Sequence, residues 1–151
     1  MTEPFSFRYE DDPDAPGWKR WELPASSLFN SFIGPVRVRV EEGVARVRWQ
    51  AEERHANLRG HVHGGALLGF LDICLFAAAR GLDVLESGPA STVDLTTHFL
   101  AGAPIEHVVE ARVELTRETG RFLFLRGLVV QGEESVASFS ALIRKPSRKP
   151  S

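Results

Sequence analysis

Apolar and polar residues alternate in several stretches of the chain, and this alternation predicts β-strands. Residues 36–40 and 44–51 alternate on either side of Glu41-Glu42-Gly43, a turn sequence, and therefore predict a β-hairpin. Four further strands are predicted at 91–100, 108–116, 121–131 and 135–144; the second and fourth place apolar residues on one face, and short turns separate the last three. The pattern predicts a sheet of about six antiparallel strands.

A continuous apolar segment interrupts this pattern and predicts one long helix. It follows His63-Gly64-Gly65 and runs to about Arg80 or Leu82, with apolar side chains on nearly every side. A helix of this kind is not a surface helix, so the rest of the protein must cover it. The sequence therefore predicts an α+β fold in which a strongly curved antiparallel sheet wraps a long buried central helix.

The two ends of the chain lack this regularity, and we assign the single domain to residues 34–145. Residues 1–33 form an N-terminal arm that begins acidic and proline-containing; we expect it to be irregular, with a short helix near 25–33. The arm is expected to dock through its aromatic residues, which are Tyr9, Trp18 and Trp21. Residues 146–151 form a basic tail that we expect to fray.

Composition and charge exclude several functional classes. A chain of 151 residues with a formal net charge of −2 is unsuited to electrostatic capture by nucleic acid or anionic lipid. Its single cysteine excludes an intramolecular disulfide and a multi-cysteine zinc site. The longest apolar run, 66–79, is too short to span a bilayer, and the N-terminus lacks the features of a signal peptide. We expect a soluble cytoplasmic protein without a cofactor.

Asp72 is a lone carboxylate within the apolar helix. Burying a charge costs several kcal/mol unless a partner compensates it. The residues three and four positions away offer no such partner; they are Leu68, Gly69, Leu75 and Phe76. Two interpretations are open. In the first, Asp72 has a structural role and either pairs with an arginine of the sheet or lies at an exposed seam. In the second, it faces a cleft and acts on a water or substrate. We favour the second.

The His63-Gly64-Gly65 sequence precedes this helix. Free N–H groups at a helix N-terminus can bind an anion or a developing oxyanion, and glycine permits close approach of a ligand. The alternative is an ordinary loop that leads into a helix. By itself, Asn57 is best explained as an Asx-turn residue.

Other reactive side chains are better explained without special chemistry. A metal site at His55, His61 and His63 is disfavoured, because His61 and His63 lie in a glycine-rich loop without nearby acidic or cysteine ligands. Cys74 lies among apolar residues and is expected to be inert core.

Together these residues resemble a family signature. The pattern His55-x-Asn57-x-x-Gly60-x-x-His63-Gly64-Gly65, followed by Asp72, resembles that of hotdog-fold acyl-CoA thioesterases of the PaaI type, in the 4-hydroxybenzoyl-CoA thioesterase-like superfamily. Residues 92–100, Thr-Val-Asp-Leu-Thr-Thr-His-Phe-Leu, resemble the strand that follows the helix in that family. The resemblance covers roughly 34–145 and implies a hotdog fold and hydrolysis of an acyl-CoA thioester.

The resemblance also implies roles for single residues. Asp72 would be the general base or the nucleophile, and Thr92 would bind the water beside it. The backbone N–H of Gly64 would polarise the thioester carbonyl. His63 would steady the loop or the carbonyl, and Asn57 would hold the water or the carbonyl. The implied substrate-binding residues are Arg59, Gly60 and Gly65.

In such proteins the site forms between two subunits. One subunit would supply Asn57, His63 and Gly64, and its neighbour would supply Asp72 and Thr92. Two sheets would join edge to edge in a homodimer, and dimers often pair into a homotetramer. Such an assembly would also help to cover the apolar helix.

One departure from the family leaves the binding of coenzyme A open. The family commonly follows Phe-Leu with Arg-Pro, whereas this chain has Ala101-Gly102. The phosphate contacts could instead come from Arg59, Arg117, Arg121 or the basic tail. A non-catalytic acyl-CoA binding domain and, less favoured, a hydroxyacyl thioester dehydratase therefore stay as alternatives.

The acyl group is also open between an aryl group and a medium-length chain. Four aromatic residues could line its pocket or belong to the core: Trp49, Phe70, Phe76 and Phe99.

Overall fold

Eight antiparallel strands form one sheet that packs against a long helix. The computed structural model describes residues 7–86 and 90–146. Its elements are β1 Arg8–Asp11, β2 Lys19–Glu22, α1 Phe29–Ile33, β3 Val36–Glu41, β4 Val44–Trp49, α2 Gly64–Gly81, β5 Ser91–Phe99, β6 Val109–Glu118, β7 Phe122–Gln131 and β8 Glu134–Arg144. The strand order is β1-β2-β3-β4-β6-β7-β8-β5. This confirms the predicted α+β architecture, in which a curved sheet wraps a long central helix.

All six predicted strands are present, and the structure adds two. Part of the arm expected to be irregular forms β1 and β2, which extend the sheet beyond β3. Both strands are short and rich in charged residues, so no apolar alternation marks them in the sequence. The prediction of aromatic docking is confirmed, because Trp18 and Trp21 are buried and Tyr9 packs against the core.

The predicted short helix occupies only the second half of its segment. The hydroxyl of Ser26 accepts a hydrogen bond from the N–H of Leu28 at 3.1 Å, and this local turn precedes the first helical residue of α1. Residues 147–151, which make up nearly all of the basic tail, lie outside the described residues.

Alternation along β4 separates the core from the outer face of the sheet. Its inward residues, Ala45, Val47 and Trp49, are almost completely buried, whereas the Arg48 side chain is 45% exposed on the opposite face. The turn before β4 uses Glu42 and Gly43, both with positive φ, as a tight hairpin of matching twist requires.

Helix α2 forms the centre of the core but is not enclosed on every side. Ten of its 18 residues are buried. Phe70 is fully buried and stacks on Trp49 with ring centroids 5.0 Å apart, which assigns both aromatics to the core. The helix is long and apolar enough to cross a membrane, yet more than half of it is buried inside the protein. Its partly exposed residues form one stripe that includes Leu68, Gly69, Asp72 and Phe76.

The outer face of the sheet carries ion pairs. Glu110 is buried, and its carboxylate accepts hydrogen bonds from Nε of Arg48 and Nε of Arg112, each at 2.8 Å. Burial raises the pKa of Glu110, but the two guanidinium groups outweigh burial and hold the pKa below its ordinary value. Arg48 also lies over the ring of Trp18, 4.4 Å from its centroid. The cluster therefore links β4 and β6 to the N-terminal segment.

We predict that Glu110→Gln lowers the free energy of unfolding by about 1–2 kcal/mol near pH 7, because it removes the charge that pairs two arginines. A carboxylate whose pKa is lowered by folding stabilises the protein above its unfolded-state pKa and loses that effect as the pH falls through its folded-state pKa. The difference between variant and parent should therefore shrink below the ordinary glutamate value of 4.5. Urea unfolding at fixed protein concentration measures it, and a difference independent of pH would contradict the ion-pair assignment.

Candidate active site

Asp72 is oriented by one hydrogen bond from the neighbouring strand. Oγ1 of Thr92, near the start of β5, donates to Oδ1 of Asp72 at 2.6 Å. A register shift between Thr92 and Asp94 marks a bulge at this point of β5, and a bulge re-aims the side chains beside it. Within residues 7–86 and 90–146, no basic side chain forms an ion pair with Asp72. The arginine partner considered from the sequence is therefore not found in this part of the chain.

Asn57 organises a tight loop before the helix. Its Oδ1 accepts hydrogen bonds from the N–H groups of Arg59 at 2.8 Å and His61 at 3.1 Å. Gly60 closes the turn with a φ of 74°, and its N–H bonds to the carbonyl of Asn57. The predicted Asx turn therefore accounts for the side-chain oxygen of Asn57. The amide Nδ2 is the group that can still donate to a ligand.

His55 connects this loop to α1, a role that sequence reasoning missed. Its ring is buried, with 1% exposure, and Nδ1 accepts a hydrogen bond from the N–H of Glu52 at 2.9 Å. The ring proton must then lie on Nε2, which donates to the carbonyl of Phe32 at 2.7 Å. The carbonyl of His55 also accepts from the N–H of His63 at 2.8 Å. The signal for this role was its place in the family pattern, since its spacing to other histidines indicated only a disfavoured metal site.

His63 caps helix α2. Its Nδ1 accepts a hydrogen bond from the N–H of Gly65 at 2.9 Å, so the helix begins at Gly64, two residues before the predicted start. This bond occupies the N–H of Gly65, one of the predicted substrate-binding groups. The N–H of Gly64 has no acceptor among the described residues, and the ring of Phe99 lies beside it. Gly64 therefore presents a free donor at the helix N-terminus.

Within one chain, the candidate residues fall into two separate groups. Asp72 and Thr92 form one group, and the loop with Asn57, His63 and Gly64 forms the other. Gly64 and Asp72 lie eight residues apart on one helix, which is about 12 Å along its axis. A single carbonyl group cannot contact both at once. Neither of two surface clefts, of about 330 and 400 Å³, includes Asp72 or Gly64.

The remaining candidates divide between core and surface. Trp49 and Phe70 belong to the core, Phe76 is half-buried, and Phe99 is 54% exposed. Arg59 is exposed beside Asn57, while Arg117 and Arg121 lie on either side of the β6–β7 turn. In the described parts of the chain, no three histidine, cysteine or acidic residues are grouped so that they could hold a metal ion.

A comparison with protein-family models decides the family. The model of the thioesterase superfamily matches residues 59–138, which is more than half of the chain. The chain belongs to the thioesterase superfamily. The match includes the helix with Asp72, the glycine loop before it and the strand with Thr92, so the predicted hotdog family is confirmed.

Solved structures similar to this thioesterase-superfamily chain share its fold. A mutant of the phenylacetic acid degradation protein PaaI from Thermus thermophilus has a TM-score of 0.60 and 26% identity, and the alignment covers 74% of this chain and 93% of that one. PaaI from the phenylacetic acid degradation operon of Escherichia coli has a TM-score of 0.65 and 18% identity, with coverages of 78% and 83%. A hypothetical thioesterase protein of Streptococcus pneumoniae, solved with coenzyme A, has a TM-score of 0.64 and 14% identity, with coverages of 76% and 88%. A search of curated proteins found no significant match.

We predict that the thiol of Cys74 does not react in the folded protein. The residue is fully buried, and burial, with a smaller contribution from the Asp72 carboxylate, raises the pKa of the thiol far above its ordinary value. Titration with a chromogenic disulfide reagent should detect no thiol in the native protein and one thiol per chain in denaturant. Rapid modification of the native protein would contradict the assignment of Cys74 to the core.

Proposed function

We propose that this protein is an acyl-CoA thioesterase that hydrolyses an aryl- or medium-chain acyl-CoA to the free acid and coenzyme A. The observation that carries the proposal is Asp72, half-buried on the open stripe of α2 and oriented by Thr92, in a chain of the thioesterase superfamily. The described fold provides no ion pair for this carboxylate, so its retention in an apolar helix suits a chemical role. The neighbour from Streptococcus pneumoniae with coenzyme A supports coenzyme A as the carrier.

The geometry of Asp72 suits either general-base or nucleophilic chemistry. Thr92 occupies Oδ1, which leaves Oδ2 to accept a proton from water or to attack the thioester carbon directly. In the general-base route, the water oxygen bonds to the carbonyl carbon while Asp72 takes its proton. The carbon–sulfur bond then breaks, and the proton passes to the departing thiolate, so that the products are a carboxylic acid and a free thiol.

Negative charge develops on the carbonyl oxygen during this attack, and the N-terminus of α2 offers a donor for it. The N–H of Gly64 has no acceptor among the described residues, since Nδ1 of His63 accepts from Gly65. The Nδ2 group of Asn57 is a second candidate donor from the same loop. Because Gly64 and Asp72 of one chain are about 12 Å apart, we propose that a complete site combines the loop of one subunit with the Asp72 of its neighbour.

The free edge of the sheet supports such an assembly. Among residues 7–86 and 90–146, strand β5 pairs only with β8, so its other edge presents backbone groups that no described strand pairs. Apolar side chains at this edge are largely exposed, with Val93, Phe99 and Leu100 each at 54%. We propose that β5 pairs with its copy in a homodimer, which brings the two helices and their separate groups together.

The proposed reaction predicts that Asp72→Asn lowers kcat by at least about 100-fold, because the amide cannot accept the proton or act as nucleophile. Purified protein is mixed with a panel of aryl, short, medium and long acyl-CoAs, and release of free thiol is followed. Asp11→Asn is the matched control, since it removes an exposed carboxylate of β1, which lies at the opposite edge of the sheet from β5. Full turnover by Asp72→Asn would refute the assignment, and tight acyl-CoA binding without turnover by the parent would favour the binding domain instead.

The oxyanion role of Gly64 can be tested by removing its backbone hydrogen-bond donor while keeping the start of the helix. Gly64 is the first residue of α2, where proline is favoured and where its missing N–H leaves no helical bond unmade. We predict that Gly64→Pro lowers kcat by about 100-fold to 1000-fold. Gly64→Ala is the control, because it keeps the N–H and its Cβ would meet Phe99 at 3.6 Å, an ordinary contact. Equal activities of the two variants would contradict the role.

The Gly64→Pro variant also tests whether the site is shared between two subunits. Neither Asp72→Asn nor Gly64→Pro alone has a complete site. Subunit exchange between them creates heterodimers in which one of the two sites joins an intact loop to an intact Asp72. Random mixing should therefore restore about a quarter of the parent activity. No recovery, with exchange verified by mass spectrometry, would show that each site lies within one chain.

A further inference from the structure

An aromatic ring from α1 lies against the stripe of α2 that carries Asp72. Gly69 precedes Asp72 by three residues on the same face of the helix. A Cβ atom at Gly69 would lie 2.7 Å from Cζ of Phe29 and 3.3 Å from Cδ1 of Ile33. A side chain at position 69 would therefore collide with the ring of Phe29. The absence of one allows this ring to lie within about one helical turn of the carboxylate.

Packing among the described residues covers less than half of Phe29. The adjacent core residue of α1 is Ile33, which is 2% exposed, whereas Phe29 is 56% exposed although it contacts α2. Hydrogen bonds hold the other end of α1: Nε1 of Trp49 donates to the carbonyl of Ile33 at 2.9 Å, and His55 donates to the carbonyl of Phe32. The helix is therefore fixed by core residues, while the described residues leave its aromatic surface beside Asp72 uncovered.

We propose that Phe29 is a specificity-determining residue whose ring limits the length of the acyl group bound beside Asp72. The inference rests on the proposed thioesterase function. On the other side of Asp72, the half-buried Phe76 follows after one turn. The interval on the helix between Gly69 and Phe76 is about 10 Å long. An acyl group placed between these two rings has room for a phenyl ring or a short chain, and a long extended chain meets Phe29.

The two rings that bound this interval also suit an aromatic or short apolar group chemically. The rings of Phe29 and Phe76 supply apolar area on either side of the carboxylate, and aromatic pairs gain free energy beyond the area they bury. Truncation of Phe29 to alanine exposes the backbone notch at Gly69 and lengthens the interval in the direction of α1. A longer acyl chain then gains contacts that the ring blocks in the parent, and an aryl group loses one of its walls.

Binding of non-hydrolysable analogues tests this inference without depending on turnover. Thioether analogues of phenylacetyl-, butanoyl- and decanoyl-CoA are titrated by calorimetry into the parent chain, Phe29→Ala and Phe29→Leu. We expect the parent to favour the phenylacetyl and butanoyl analogues over the decanoyl one, which selects the aryl alternative of the proposed function over the medium-chain alternative. Phe29→Ala should raise the affinity for the decanoyl analogue relative to the phenylacetyl analogue by at least about tenfold, and Phe29→Leu should shift it less in the same direction. Leu28→Ala is the matched control, because Leu28 is a 43% exposed apolar neighbour of α1, and it should leave the ratio unchanged.

The outcomes separate this inference from the function on which it rests. If the parent binds the analogues but Phe29→Ala keeps the same ratio, Phe29 does not set specificity, and the proposed function stands. If Phe29→Ala weakens all three analogues by one common factor and lowers the melting temperature, the residue has only a structural role. If the parent binds none of the three analogues, the proposed function and the role of Phe29 are both overturned.

Discussion

Helix α2 carries apolar side chains on nearly every side, and a sheet can cover only one side of it. Strands β3 and β4 provide most of that cover, with the stacked pair of Trp49 and Phe70 at the centre of the contact. On the other side, α1 covers only a short part of α2 through Phe29 and Ile33. What is left is a partly buried stripe, and the single carboxylate of the helix lies on it. The location of the candidate site therefore follows from incomplete coverage of the helix.

A buried histidine links the pieces that surround this stripe. His55 accepts a hydrogen bond within its own turn, donates to α1 and, through its carbonyl, holds the backbone of His63. One residue thereby fixes α1, the Asn57 loop and the start of α2 relative to one another. A buried polar group that has all its partners rigidifies its surroundings, because any displacement leaves a partner unsatisfied. The site is thus supported from the core, although its own residues are partly exposed.

The two groups of candidate residues have complementary roles and lie at different places along α2. Asp72 and Thr92 offer an acceptor with a defined orientation, and Gly64 with Asn57 offers donors at a helix N-terminus. Helical geometry keeps them about 12 Å apart in one chain. The proposed shared site between two chains would remove this separation without any change in the protomer. The same assembly would also cover the exposed edge of β5 and the apolar residues along it.

The local pattern of the chain was sufficient for the elements and the family. Alternation and short turns marked the six predicted strands, and the uninterrupted apolar run marked α2, because burial on one face or on all faces leaves a direct imprint on residue order. The two N-terminal strands left no such imprint, since they are short, charged and paired by backbone groups that any sequence can supply.

The spacing from Asn57 to Asp72 indicated the thioesterase family, while the partner of Asp72, a threonine 20 residues further on, is indicated by no local pattern and became visible as a contact only in the fold. The role of His55, the cap that frees Gly64 and the ring of Phe29 on Gly69 were likewise decided only in three dimensions, because each is a contact between segments that the chain order does not relate.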